Sequence, residues 1–86
     1  MSRITVYTTE PCSYCRVAKA LLAKRSVPFL EINLAKDPAG RAELVRQTGM
    51  MTFPQVVIDG ESIGGYQELV AADRDGRLSD FSEAAA

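Results

Sequence analysis

Hydrophobic and polar positions divide this chain into short alternating runs and longer helical ones. Residues 3–7 alternate and hold β-branched Ile4, Thr5 and Val6, which predicts a strand. Thr8 to Pro11 reads as a loop. From Ser13 to about Arg25 the spacing turns helical. Cys15, Ala18 and Leu22, joined by Leu21, share one face, while Arg16, Lys19 and Lys24 point elsewhere. Lys24 and Arg25 lie near the helix C-terminus, where the macrodipole favours cations. Pro28 breaks the pattern, and Phe29 to Leu34 predicts a second strand. Asp37-Pro38 predicts a helix start, with Asp37 as N-cap and Pro38 in the first helical position. That helix runs to about Thr48, with Gly49 as its C′ residue. Gln55 to Asp59 predicts a buried strand around Val56, Val57 and Ile58. Asp59-Gly60 is a hairpin turn signal, Glu61 to Ile63 the returning strand, and Gly64-Gly65 its end. Residues 67–75 predict a last helix with Leu69 and Val70 inward, stopped near Gly76, after which Leu78 and Phe81 pin the tail.

The order is β-α-β-α-β-β-α, an α/β arrangement. The opening βαβ unit should pair in parallel through a right-handed crossover. The hairpin should add antiparallel edges, and the helices should cover both faces of a four-stranded mixed sheet.

Composition narrows what such a domain does. The 86 residues are expected to form one domain over 1–86. A chain this short buries little more than ~60% of its unfolded surface, so its core is small but feasible. A net charge of −1 gives no broad basic field to attract nucleic acid. No apolar run approaches the ~20 residues of a membrane span. The start, Met1 to Tyr7, is too short in apolar length for a signal peptide, so the cytoplasm is the expected location. Two cysteines and no histidine exclude a four-ligand zinc site within one chain and any histidine base. A nucleophile here must be activated by its electrostatic surroundings.

Cys12-Ser13-Tyr14-Cys15 is a C-x-x-C between a predicted strand and helix, the context that marks a redox site. Cys12 falls at the helix N-terminus, where unpaired N–H groups and the dipole favour a thiolate and lower its pKa. Cys15, one turn later on the apolar face, should be buried and within disulfide reach. One sulfur attacks and the other resolves. A purely structural disulfide would close too short a loop to restrict the unfolded chain much. Two half-buried core cysteines are the plainer alternative.

Thr52-Phe53-Pro54 precedes the Val56–Ile58 strand. Proline opening a strand is ordinary at a sheet edge. A cis-proline there would instead expose backbone N–H and C=O groups to an extended thiol peptide. Gly64-Gly65-Tyr66-Gln67-Glu68 opens a helix whose N–H groups can hold a carboxylate, with Glu68 placed for an ammonium. Its plain alternative is a tight turn with an acid serving the dipole.

In this order and spacing the three motifs resemble the glutaredoxin family over about residues 3 to 82. The likeness is greatest to small bacterial dithiol glutaredoxins, whose pattern is C-P-Y-C, T-V-P, then G-G-x-D-D. The resemblance implies a thioredoxin-like fold and reduction of protein disulfides and glutathione mixed disulfides. It makes glutathione the co-substrate, lying in a groove between the motifs. Cys12 would attack its sulfur and Tyr14 pack beside it. Thr52, Phe53 and Pro54 would pair with its cysteine backbone. The N–H groups following Gly65, at Tyr66 and Gln67, would hold its γ-glutamyl carboxylate, and Glu68 its ammonium. Arg41 matches a family position contacting the glycine carboxylate; alone it would be a solvated helix residue.

The chain departs from the pattern at several positions. Thr9 stands where a lysine is usual, and Arg16 is the candidate to compensate. Gln67-Glu68 replaces Asp-Asp, and Ser13 replaces the motif proline. In some glutaredoxins a C-S-Y-C motif accompanies a glutathione-ligated [2Fe–2S] cluster between two subunits. Cys12 would be the protein ligand, giving a cluster-bridged dimer in place of the expected monomer. A glutaredoxin-like electron donor reduced by thioredoxin reductase is a third possibility, although such proteins typically carry a tryptophan motif and this chain has no Trp. The expected partners are glutathione and disulfide-containing or glutathionylated proteins, with no nucleic acid and no membrane.

Overall fold

The computed structural model describes residues 3–83. Its elements are β1 (Ile4–Thr8), α1 (Ser13–Lys24), β2 (Leu30–Asn33), α2 (Pro38–Thr48), β3 (Gln55–Ile58), β4 (Glu61–Gly64) and α3 (Tyr66–Arg74), then a 3-10 helix, Arg77–Phe81. The predicted order holds, with ends moved by a residue or two. Thr8 belongs to β1 and not to the loop, because it pairs with Asn33 in the parallel ladder.

The four strands are ordered β2-β1-β3-β4. β1 pairs in parallel with β2 and antiparallel with β3, and β3 is antiparallel to β4. Only β2 and β4 are therefore edges. The expectation that the hairpin supplies edge strands holds for β4 but not for β3. A turn signal fixes which strands pair across it, not which of them joins β1.

The local signals do what their chemistry demands. The Asp37 carboxylate accepts the Gly40 N–H at 2.9 Å, and Pro38 opens α2. Gly49 ends α2 in the left-handed region, at φ +73°. Asp59 and Gly60 both take positive φ, 51° and 83°, as a type I′ turn requires.

Ile4 and Val6 of β1, Val56 and Ile58 of β3, Ala18 and Leu22 of α1 and Leu69 of α3 form one core with Val27 and Leu78. α1 and α3 thus cover one sheet face. Gln55 alternates with Val56 and points to the other face. There it meets Thr48 at the end of α2, so α2 covers that side. The predicted inward residue Val70 is only half-buried; Ala72 is buried with Leu69 instead. The tail is pinned as predicted. Leu78 is fully buried, and Phe81 packs on the core beneath the Arg3 guanidinium, 4.4 Å from its ring centre. Among the described residues no helix is long and apolar enough to cross a membrane.

Candidate active site

Cys12 caps α1. Its backbone is extended, and its Sγ accepts the Cys15 N–H at 3.0 Å. The first turn of a helix leaves such N–H groups without backbone partners, so a sulfur placed there has donors aimed at it. The sequence folds this way because Ile4, Val6 and Thr8 bury β1 while Cys15, Ala18 and Leu22 bury α1 on the same core side. The connecting turn then has to place Cys12 at the mouth.

Cys12 and Cys15 are joined as a disulfide, with their Cα atoms 5.3 Å apart. That spacing lies in the ordinary range for the bond. Cys15 is 2% exposed, whereas Cys12 is half-buried. Only one of the two sulfurs is presented to an incoming partner.

A groove of about 350 Å³ lies beside them, lined by Tyr14, Met50, Thr52, Phe53, Pro54, Gly65, Tyr66, Gln67 and Glu68. The structure thus gathers eight sequence-predicted residues along one wall or the other. The Phe53–Pro54 peptide is cis, as the second reading of that motif requires. The Phe53 carbonyl oxygen lies 3.9 Å from Cys12 Sγ, which joins the groove to the redox pair. Tyr14 and Tyr66 form its rim, with ring centres 5.8 Å apart and planes tilted by 36°. The predicted set omits Met50, which follows the α2 cap without any motif of its own. A second cis peptide, Glu10–Pro11, sits just before Cys12 and was equally unmarked in the sequence.

At the start of α3, Glu68 Oε1 accepts the Gly65 N–H at 2.7 Å. The acid therefore serves its own helix, as the plainer reading of that motif holds. Tyr66 and Gln67 occupy the first two helical positions, where N–H groups face outward along the axis.

Arg41 is not among the groove residues. Its Nη1 donates to the carbonyls of Leu34, at 2.6 Å, and Ala35, at 2.9 Å. The β2–α2 loop curls back over the helix and claims the guanidinium.

Across the disulfide from the groove is a larger polar cleft of about 710 Å³. Thr9 and Arg16 line this cleft, along with both cysteines. The buried Thr8 hydroxyl donates to Glu31 Oε2 at 2.8 Å, and Lys19 Nζ reaches both Glu31 oxygens at 3.2 and 3.0 Å. The Thr8 hydrogen bond, with help from Lys19 and against partial burial, holds the Glu31 carboxyl below its usual range. Nothing in the sequence pattern marked this network.

The family model for glutaredoxin matches residues 4–63. The chain belongs to the glutaredoxin family. It is 41% identical over 78 residues to glutaredoxin 3 of Escherichia coli, covering 91% of this chain and 94% of that one. The solution structure of glutaredoxin from Brucella melitensis matches with a TM-score of 0.80 and 36% identity, over all of this chain and 94% of that one. The crystal structure of a buckwheat glutaredoxin–glutathione complex matches with a TM-score of 0.82 and 30% identity, over 92% of this chain and 74% of that one. The fold is thioredoxin-like, and the Cys12–Cys15 pair gives this glutaredoxin thiol–disulfide oxidoreductase chemistry.

Among the described residues no group of three or more His, Cys, Asp or Glu side chains is placed to hold a metal ion. Cys12 is the one sulfur presented at the mouth. A [2Fe–2S] cluster would need its other thiolates from outside the chain, and no step below uses one.

Proposed function

We propose that this glutaredoxin reduces glutathione mixed disulfides and protein disulfides, with glutathione as electron donor. The observation that carries the reading is the groove that ends at Cys12 Sγ and is walled by the cis Phe53–Pro54 segment and the start of α3. An extended thiol peptide laid there would pair its cysteine backbone with the Thr52–Phe53 segment. Its carboxylate would point at the Tyr66 and Gln67 N–H groups, and its ammonium at the outer oxygen of Glu68. The similar buckwheat protein was crystallised as a complex with glutathione. The proposed setting is a reducing compartment such as the cytoplasm, where reduced glutathione is available.

The steps balance as two exchanges. The Cys12 thiolate attacks the glutathione sulfur of a mixed disulfide, a Cys12–glutathione disulfide forms, and the client thiolate leaves and takes a proton. A second glutathione thiolate then attacks that glutathione sulfur, which releases glutathione disulfide and restores Cys12. For a protein disulfide, Cys12 forms a mixed disulfide with the client. Cys15 then gives up its proton and attacks Cys12 Sγ, the client thiol leaves, and the Cys12–Cys15 disulfide of this structure remains. Two glutathione molecules reduce it again.

The test is turnover of a glutathionylated disulfide coupled to glutathione reductase and NADPH. The wild type and Cys15→Ser should both turn over, whereas Cys12→Ser should be inactive. Appreciable turnover by Cys12→Ser, or none by the wild type, would overturn the reading.

A further inference from the structure

Gln55 is a polar side chain with no exposed surface in a strand that otherwise reads Val-Val-Ile. It takes no part in the exchange steps above. Burying an amide is unfavourable unless its donors and acceptor are matched. Here they are. Nε2 donates to the Met50 carbonyl at 2.9 Å and to the Thr52 carbonyl at 3.1 Å. Oε1 lies 2.9 Å from the Thr48 hydroxyl at the end of α2. That hydroxyl in turn accepts the Met50 N–H at 3.1 Å.

These partners belong to one stretch of chain, the last residue of α2 and the turn between it and the cis-proline. Met50 and Thr52 line the groove, and the next residue, Phe53, presents its carbonyl to Cys12. Residues 49–54 carry no helix or strand ladder. The Gln55 amide therefore supplies hydrogen bonds that this turn would otherwise draw from a regular element.

We propose that Gln55 is the positioning residue for the substrate-binding wall of the groove. It holds the Met50–Phe53 backbone at the height where Thr52 and Phe53 can pair with an incoming thiol peptide. This rests on the glutathione reading above, but it concerns how tightly the peptide is held, not whether Cys12 reacts. Loosening the wall should weaken substrate binding and leave the nucleophile alone, because the donor on Cys12 comes from α1.

The test is Gln55→Met, which keeps the length and removes every hydrogen bond. With the wild type active on a glutathionylated disulfide, KM should rise about tenfold, while kcat and the pH dependence of Cys12 alkylation stay at wild-type values. Gln55→Glu provides a second arm. Protonated, its carboxyl can still donate to one carbonyl; ionised, it faces two carbonyl oxygens. Its KM relative to wild type should rise with pH, above the usual carboxylate range because the site is buried. If neither variant folds, the unaltered protein decides by NMR. Its Gln55 side-chain NH₂ signals should shift with the same saturation by glutathione as the Phe53 amide. A KM for Gln55→Met within twofold of wild type, a flat Gln55→Glu ratio, or unmoved Gln55 signals would each overturn the proposal. A wild type inactive with glutathione would instead fail the functional reading on which it rests.

Discussion

Cys12 and Cys15 differ by position alone. One caps a helix at the mouth of a groove, and the other is sealed by the core one turn later. The cleft behind them holds a partly buried acid, Glu31, bound by Thr8 and Lys19. Its carboxyl titrates below the ordinary range when folded. The interaction therefore stabilises the protein at pH above the unfolded value of about 4.3, and is lost as pH falls through the lower folded value. Thr8→Val removes the largest cause. The Glu31 titration, followed by carboxyl-carbon NMR, should move upward, and stability near neutrality should fall by about 1 kcal/mol. An unmoved titration would show that Lys19 alone sets it. Thr8 also illustrates what the sequence hid. A threonine closing a strand looks like any β-branched residue, and its partner lies on another strand.

At the scale of elements, Gly65 and the first turn of α3 build one wall of the groove, directly after β4 ends at Gly64. Gly64 sits at φ +120°, and a Cβ there would meet Glu68 Cγ and Oε1 at 2.7 Å. Gly64→Ala should strain the backbone and push Glu68 off the Gly65 N–H. Stability to urea should fall by about 1–3 kcal/mol, and KM for a glutathionylated substrate should rise with it. Unchanged values of both would remove Glu68 from the groove account. Elements are where the sequence was most legible. The alternation of β1, the Asp37-Pro38 start and the Asp59-Gly60 turn each express a local rule that the chain obeys wherever it is placed. The groove members other than Met50 were legible because they come as three compact motifs. Arg41 was not, since its guanidinium follows a loop path that no spacing encodes. The role of Gln55 was hidden too: the pattern marks its strand as buried, but not which groups its amide meets under α2.

For the molecule as a whole, the C-terminal segment acts as a clasp. Leu78 enters the main core, Arg25 grips Asp73 through two hydrogen bonds of 2.8 and 3.0 Å, and the Glu83 N–H reaches the Ser26 carbonyl at 2.9 Å. Leu78→Ala should cost about 2–5 kcal/mol, with Tm falling about 4–8 °C for each kcal/mol in a domain of this size. Below the melt, KM and kcat should match wild type, because the clasp lies away from Cys12; a changed KM would show that the groove depends on it. The strand order has a further consequence, for synthesis. β1 is an interior strand flanked by β2 and β3, so it must wait for strands made after it to complete its ladder. Both cysteines leave the ribosome before the residues that distinguish them. Until β3 brings Val56 and Ile58 onto the core, Cys12 can cap α1, but the core that seals Cys15 is incomplete. The helix end marks out one sulfur early, and the burial that sets the other apart is acquired when the sheet closes.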